Sequence, residues 1–146
     1  MKDFPDFADR LSELIFESGK NVNQISDELG CGNSTVYHYT TERYLPNLEM
    51  TVKLADYFNC STDYLLGITA ESNAESFNVC PPFGKRFTEV LKEKGVSRYS
   101  LKTKTKIAES VMRYWVQGKT TPSLVNLVKI AKALDITVDY LLGREK

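Results

Sequence analysis

Residues 25–39 read I-S-D-E-L-G-C-G-N-S-T-V-Y-H-Y. Ile25, Leu29, Cys31, Val36 and Tyr39 have the spacing to bury one side of two helices that cross around the break at Gly30-Cys31-Gly32. Asn33, Ser34, Tyr37 and His38 are left on the other side as a short, polar, uncharged strip. Asn21, with Gln24 three residues on, forms a capping box that opens the first of these helices. The second runs from Asn33 to about Thr40. Upstream, Phe7, Leu11, Leu14 and Ile15 make one apolar helical stripe, closed by Gly19. Downstream, Leu48, Val52, Ala55 and Phe58 give a helix behind Pro46, and Ser61 caps a last turn carrying Tyr64, Leu65 and Leu66. No strand pattern competes.

The same pattern then returns. Phe7–Gly67 aligns with Phe83–Gly143 at a constant offset of 76, without a gap over 61 positions, and sixteen pairs are identical. Among them are Arg10/Arg86, Gly19/Gly95, Ser34/Ser110, Pro46/Pro122 and a closing D-Y-L-L-G. Two copies are too few for a solenoid, so the reading is two small domains of one fold, at 1–67 and 83–146. Residues 68–82, ITAESNAESFNVCPP, are polar, rich in small residues and ended by two prolines, as a linker would be.

At 146 residues and 42% hydrophobic, the chain has enough apolar material for two packed cores. Its zero net charge hides a division. Residues 1–76 hold 5 basic against 13 acidic side chains, a net of −8; residues 77–146 hold 14 against 6, a net of +8. Beyond a Debye length of ~8 Å the halves act separately. The basic half attracts polyanions such as nucleic acid or an acidic protein surface, or else the imbalance is drift in solvated surface charge. No run approaches the ~18 apolar residues of a membrane span, and no leader pattern opens the chain, so a cytoplasmic protein without a membrane partner is expected. Cys31, Cys60 and Cys80 lack C-x-x-C spacing, which signals neither disulfides nor zinc. Cys31 and Cys60 read as small core hydrophobes, and Cys80 as an incidental exposed cysteine or a redox-sensitive thiol. One histidine, no Gly-rich phosphate loop and no paired-carboxylate motif argue against an enzyme, a metal site or a cofactor.

The run I25–Y39, continued by T-T-E-R-Y-L-P-N-L48, resembles the helix-turn-helix of the lambda-repressor-like (Xre/Cro-type) DNA-binding family. The second copy adds R113-Y-W-V-Q-G-K-T-T-P-S-L124 and V128-K-I-A-K-A-L-D-I-T-V-D-Y-L-L-G143, similar to the family's passage from recognition helix to last helix. The resemblance covers 122 of 146 residues. It implies an all-α chain: two tandem five-helix lambda-repressor-like helix-turn-helix domains joined by a short linker. Four positions depart from the family's pattern. Thr105 and Lys106 replace Leu and Gly in the second copy's turn, which leaves open whether that turn keeps its backbone; Glu42 replaces a Gly, and Val22 stands where the family commonly has Gln.

By resemblance, double-stranded DNA is the partner and sequence-specific transcriptional regulation the function. In the first copy the candidate DNA-binding residues are Asn33, Ser34, Thr35, Tyr37 and His38, with Arg43 for the backbone. Asn pairs bidentately with adenine, and His38 either contacts guanine N7 or is a solvated surface histidine. In the second copy they are Glu109, Ser110, Arg113 and Tyr114, with Lys119 after the helix. Arg113 can fork onto guanine O6 and N7, and Glu109 can accept from cytosine N4. Arg98, Lys102 and Lys106 recur every four residues, as a phosphate-contacting row or a solvated charged face. Tyr39 and Trp115 fall on the apolar side and read as core. Two arrangements follow. Either both copies read DNA as a covalent pseudo-dimer, for which fifteen linker residues reach ~50 Å against the ~34 Å between successive major-groove faces. Or the basic copy alone binds DNA and the acidic one is a protein-interaction, dimerisation or autoinhibitory module, which brings a homodimer or head-to-tail self-association into the expectations.

Overall fold

Gly19 adopts φ 72° and ends the first helix, α1 (Phe7–Ser18), where its lack of a Cβ allows the left-handed turn. In this computed structural model, which describes residues 3–72 and 76–145, the chain divides into two compact units, Met1–Glu75 and Ser76–Lys146. Every regular element among the described residues is a helix.

In the acidic unit, α2 (Val22–Leu29) starts at Asn21, whose side chain accepts from the Gln24 amide while Gln24 Oε1 accepts from the Asn21 amide. Then follow α3 (Thr35–Thr40), α4 (Leu48–Tyr57) capped by Asn47, and α5 (Thr62–Leu65) capped by Ser61. Helix α3 packs on α1 and α2, and α4 on α2 and α5. Leu11, Ile25, Val36, Leu54 and Leu65 are fully buried between them.

The basic unit repeats the order with α6 (Phe83–Lys94), α7 (Arg98–Thr105), α8 (Glu109–Val116), α9 (Leu124–Ala133) and α10 (Val138–Leu142). Its core holds Phe87, Leu101, Met112, Trp115 and Leu127. Trp115 meets Phe83 and Phe87 edge-on at 5.9 and 5.7 Å between centroids, an arrangement the ring quadrupoles favour. Helix α6 approaches α8 closely because residue 84 is glycine: a Cβ there would lie 2.2 Å from the Trp115 carbonyl oxygen.

The repeat also explains a conserved pair of arginines within the chain. Arg10 donates to the Tyr64 and Thr69 carbonyls and lies 3.9 Å from the Tyr64 ring centre. Arg86 does the same to the Tyr140 carbonyl and ring. Each guanidinium thus satisfies carbonyls at the end of its unit's last helix, tying first helix to last.

Two expectations change. The second helix of the central pair begins at Thr35 rather than Asn33, since Gly32, Asn33 and Ser34 are poor helix formers and Ser34 makes no side-chain cap. Its counterpart α8 begins two residues earlier in register, at Glu109, a residue favoured in a first turn. Cys31 and Cys80 are each half-buried, neither core nor fully exposed, whereas Cys60 is buried. Parts of the 68–82 stretch are held on their own units: Ser72 Oγ accepts from the Ser61 amide, and Phe77 lies 4.2 Å from the Arg144 guanidinium. Asn78 donates from its backbone to Arg144 O and from its side chain to Glu145 O.

Candidate nucleic-acid interface

The turn between α7 and α8 passes through Lys106 at φ 64°, where α2 and α3 are joined through Gly30 at φ 74°. Glu42 at φ 63° after α3 likewise matches Gly118 at φ 76° after α8. The backbone of both copies is therefore the same at these turns, and the two non-glycine residues accept a left-handed conformation to keep it. This settles the point that the sequence left open at Lys106.

On α8, Met112 and Trp115 face inward, so Glu109, Ser110 and Arg113, at i, i+1 and i+4, are exposed on the opposite face. Tyr114 is partly exposed beside them, with Lys119 Nζ 5.4 Å from its ring centre. Lys102 on α7 is exposed, as is Lys106, which lies outside the helix at its left-handed C-cap, so that the expected row of three ends there. Arg98 is half-buried, with its Nη2 3.9 Å from Glu109 Oε1. Two residues expected to contact DNA separately thus meet each other. Tyr99 was missed by the four-residue reading. It is 74% exposed and stands i−3 from Lys102, so its phenol joins the same cationic face, with a hydroxyl suited to a phosphate oxygen. Extending the row to i+3 neighbours would have found it.

In the acidic unit Asn33 and Ser34 are exposed but lie in the turn before α3. Thr35, the first helical residue, is half-buried, and Tyr37 is exposed. His38 is half-buried, its ring 5.3 Å from that of Tyr44, and its Nδ1 is buried without a hydrogen-bond partner among the described residues. It is neither a freely solvated histidine nor wholly available to a base. Arg43 is exposed just beyond the helix. The α2 row matching Arg98, Lys102 and Lys106 is Val22, Ser26 and Gly30, which carries no cation, and Ser26 is fully buried. Burial, with smaller contributions from Cys31 and Tyr44, raises the Tyr39 phenol above its ordinary pKa, in keeping with its core position.

No group of three or more metal-ligating side chains occurs among the described residues, and no helix among them is long and apolar enough to cross a membrane.

Residues 86–146 match the family described as Cro/C1-type HTH DNA-binding domain, and residues 14–65 match helix-turn-helix. Over 58 residues the chain is 33% identical to the HTH-type transcriptional regulator ImmR of Bacillus subtilis, covering 40% of this chain and 46% of that protein, so the match spans just under half of the relative's length. Among solved structures, the restriction-modification controller protein C.AhdI from Aeromonas hydrophila is similar at 35% identity over 41% of this chain and 91% of its own, with a TM-score of 0.39. The two family matches together span most of the sequence, one in each unit: the chain belongs to the Cro/C1-type helix-turn-helix family and carries two such domains in tandem.

Proposed function

We propose that the chain is a sequence-specific, DNA-binding transcriptional regulator, cytoplasmic in keeping with that role, whose basic unit supplies the principal contact with duplex DNA. The observation that carries this reading is the exposure of Ser110 and Arg113 on α8 together with that of Lys102 on α7 and Lys106 in the turn after it. A guanidinium such as that of Arg113 suits guanine if α8 enters the major groove, and cations such as Lys102 and Lys106 suit the phosphates beside it. The first unit's recognition helix is shorter, its neighbouring row lacks cations, and its half of the chain has a net charge of −8, all of which favour a lesser role on DNA.

The pseudo-dimer reading keeps one specific support: Asn33, Ser34 and Tyr37 are exposed together at the corresponding end of α3. Selection of bound DNA from a random pool by the whole chain, repeated with Arg113→Ala and with an Asn33→Ala/Tyr37→Ala pair, separates the readings. One selected half-site, lost with Arg113→Ala and indifferent to the pair, supports the basic unit as sole reader. Two half-sites at fixed spacing, one lost with each variant, support the covalent pseudo-dimer. An unenriched pool removes both.

A further inference from the structure

Phe16, near the end of α1, is 87% exposed, on the face turned away from the buried Phe7, Leu11 and Ile15. A lone apolar side chain in solvent is ordinary. This one stands beside a row of carboxylates. Asp9, Glu13 and Glu17 follow one another at four-residue spacing, all exposed, and Phe16 is three residues on from Glu13. None of the three carboxylates is paired with a cation among the described residues. At the same offset in the basic unit the face reads Lys85, Glu89, Lys92 and Glu93. The aromatic anchor and the single sign of charge are therefore particular to the acidic unit, although the fold is shared, and the DNA-binding reading uses neither.

Such a face fits a surface that offers cations around an exposed ring and carries no acid. Duplex DNA is excluded by sign, and so is a second α1, which would bring its own carboxylates. The chain itself carries the complement. Helix α7 has no acidic residue. Its outward side chains include Tyr99, 74% exposed, and Lys102 three residues on, with exposed Lys106 in the turn that follows.

From this complementarity we propose that the outward face of α1, centred on Phe16, docks on the α7 face of a second copy of this chain. There the carboxylates meet ammonium groups, and Phe16 meets the Tyr99 ring and the Lys102 stem. The opposite charges of the two halves, −8 and +8, steer one copy onto the other. Helix α1 has 12 residues and is about 18 Å long. One face of it is well below the ~800 Å² that each partner gives a standard interface, so the complex is micromolar rather than nanomolar. Lys102 and Lys106 are the cations that the regulator reading assigns to phosphates, so a docked copy takes the place of the duplex. This competition rests on that reading, whereas the self-association does not.

The full chain is followed by sedimentation velocity from about 5 to about 200 µM, at about 0.05 and about 0.3 M salt. The weight-average coefficient is expected to rise with concentration at the lower salt and to stay nearly flat at the higher. Phe16→Ala, and separately Asp9→Asn with Glu13→Gln and Glu17→Gln, weakens the association about tenfold; all four positions are exposed. A charge exchange tests the pairing. Glu13→Lys with Glu17→Lys, and in another chain Lys102→Glu with Lys106→Glu, each leaves a chain that is monomeric alone, and an equal mixture of the two associates again. Misfolding cannot produce that gain. A chain monomeric throughout, association indifferent to Phe16 and the carboxylates, association that strengthens with salt, or a mixture that stays monomeric each overturn the proposal. A lysine-rich helical peptide that shifts the α1 amides of a chain that stays monomeric overturns it in favour of another basic partner. Affinity for random-sequence duplex is then compared between the unsubstituted chain and Phe16→Ala, at a concentration where the former associates. Severalfold tighter binding by Phe16→Ala is expected. Equal binding with association confirmed removes the competition and leaves the docking standing, and no DNA binding by either removes the regulator reading instead.

Discussion

The guanidinium of Arg98 lies 3.9 Å from the carboxylate of Glu109, joining the first turn of α7 to the first turn of α8. Arg98 is only half-buried and Glu109 is exposed, so the pair adds little stability, typically below ~1 kcal/mol. Its consequence is electrostatic: Glu109 neutralises a cation on the face that would meet DNA.

Glu109→Gln should therefore leave the unfolding midpoint nearly unchanged and raise affinity for random-sequence duplex DNA severalfold. Fluorescence anisotropy at about 0.1 M salt measures this. A fall in affinity for a selected site, with the random-sequence value raised, would place Glu109 on a base instead.

Lys106 and Glu42 hold left-handed backbone that a Cβ disfavours by roughly 1–2 kcal/mol, part of which glycine gives back through its freer unfolded chain. Lys106→Gly and Glu42→Gly should each stabilise their own unit by about 0.5–1 kcal/mol. Trp115, the only tryptophan, reports the basic unit in urea unfolding by fluorescence, and calorimetry reports the acidic one. Lys106→Gly should also lower the slope of log affinity against log salt by about one if Lys106 meets a phosphate.

Gly84→Ala forces a methyl to within 2.2 Å of a backbone oxygen, which cannot swing aside as a side chain can. A loss of about 2 kcal/mol or more from the basic unit is expected, read again from Trp115 fluorescence. The matching position in the acidic unit is Ala8, buried with its Cβ in place, so the change is not harmful in the fold as such but in this helix pair. An unchanged midpoint would mean that α6 and α8 separate freely.

Arg144 is fully buried, and its Nη1 donates to Asp139 Oδ1 at 2.6 Å beneath the Phe77 ring. Arg144→Met removes the cation while filling much of the space. It should cost about 3 kcal/mol, since the Asp139 carboxylate stays buried without that partner. The Asn78 amide, which donates to Arg144 O, should exchange with solvent faster as the 77–78 stretch loosens. Retained protection at Asn78 with the same stability loss would show that the backbone bond alone holds the stretch.

Much of the fold was legible because its signals are local. The Asn21–Gln24 capping box, the Gly19 end and the Ser61 cap each depend on residues within one turn, and all are found as read. The offset of 76 carried the same reading to the second copy. The candidate site was legible only as a face. Helical spacing marked Ser110 and Arg113 as outward, but Tyr99 fell between rows, and the start of α3 turned on weak propensities at Gly32–Ser34.

Sequence alone determined that the regular elements are helices, that their pattern occurs twice, and that the copies carry opposite charge, because periodicity, caps and charge are properties of neighbouring residues. Tertiary structure alone decided that Arg98 answers Glu109, that His38 sits against Tyr44, that Phe77 covers Arg144, and that Lys106 takes the backbone of a glycine. Those outcomes depend on which helices cross and how closely, and the energies that fix them come from burial and contact between residues far apart in the chain.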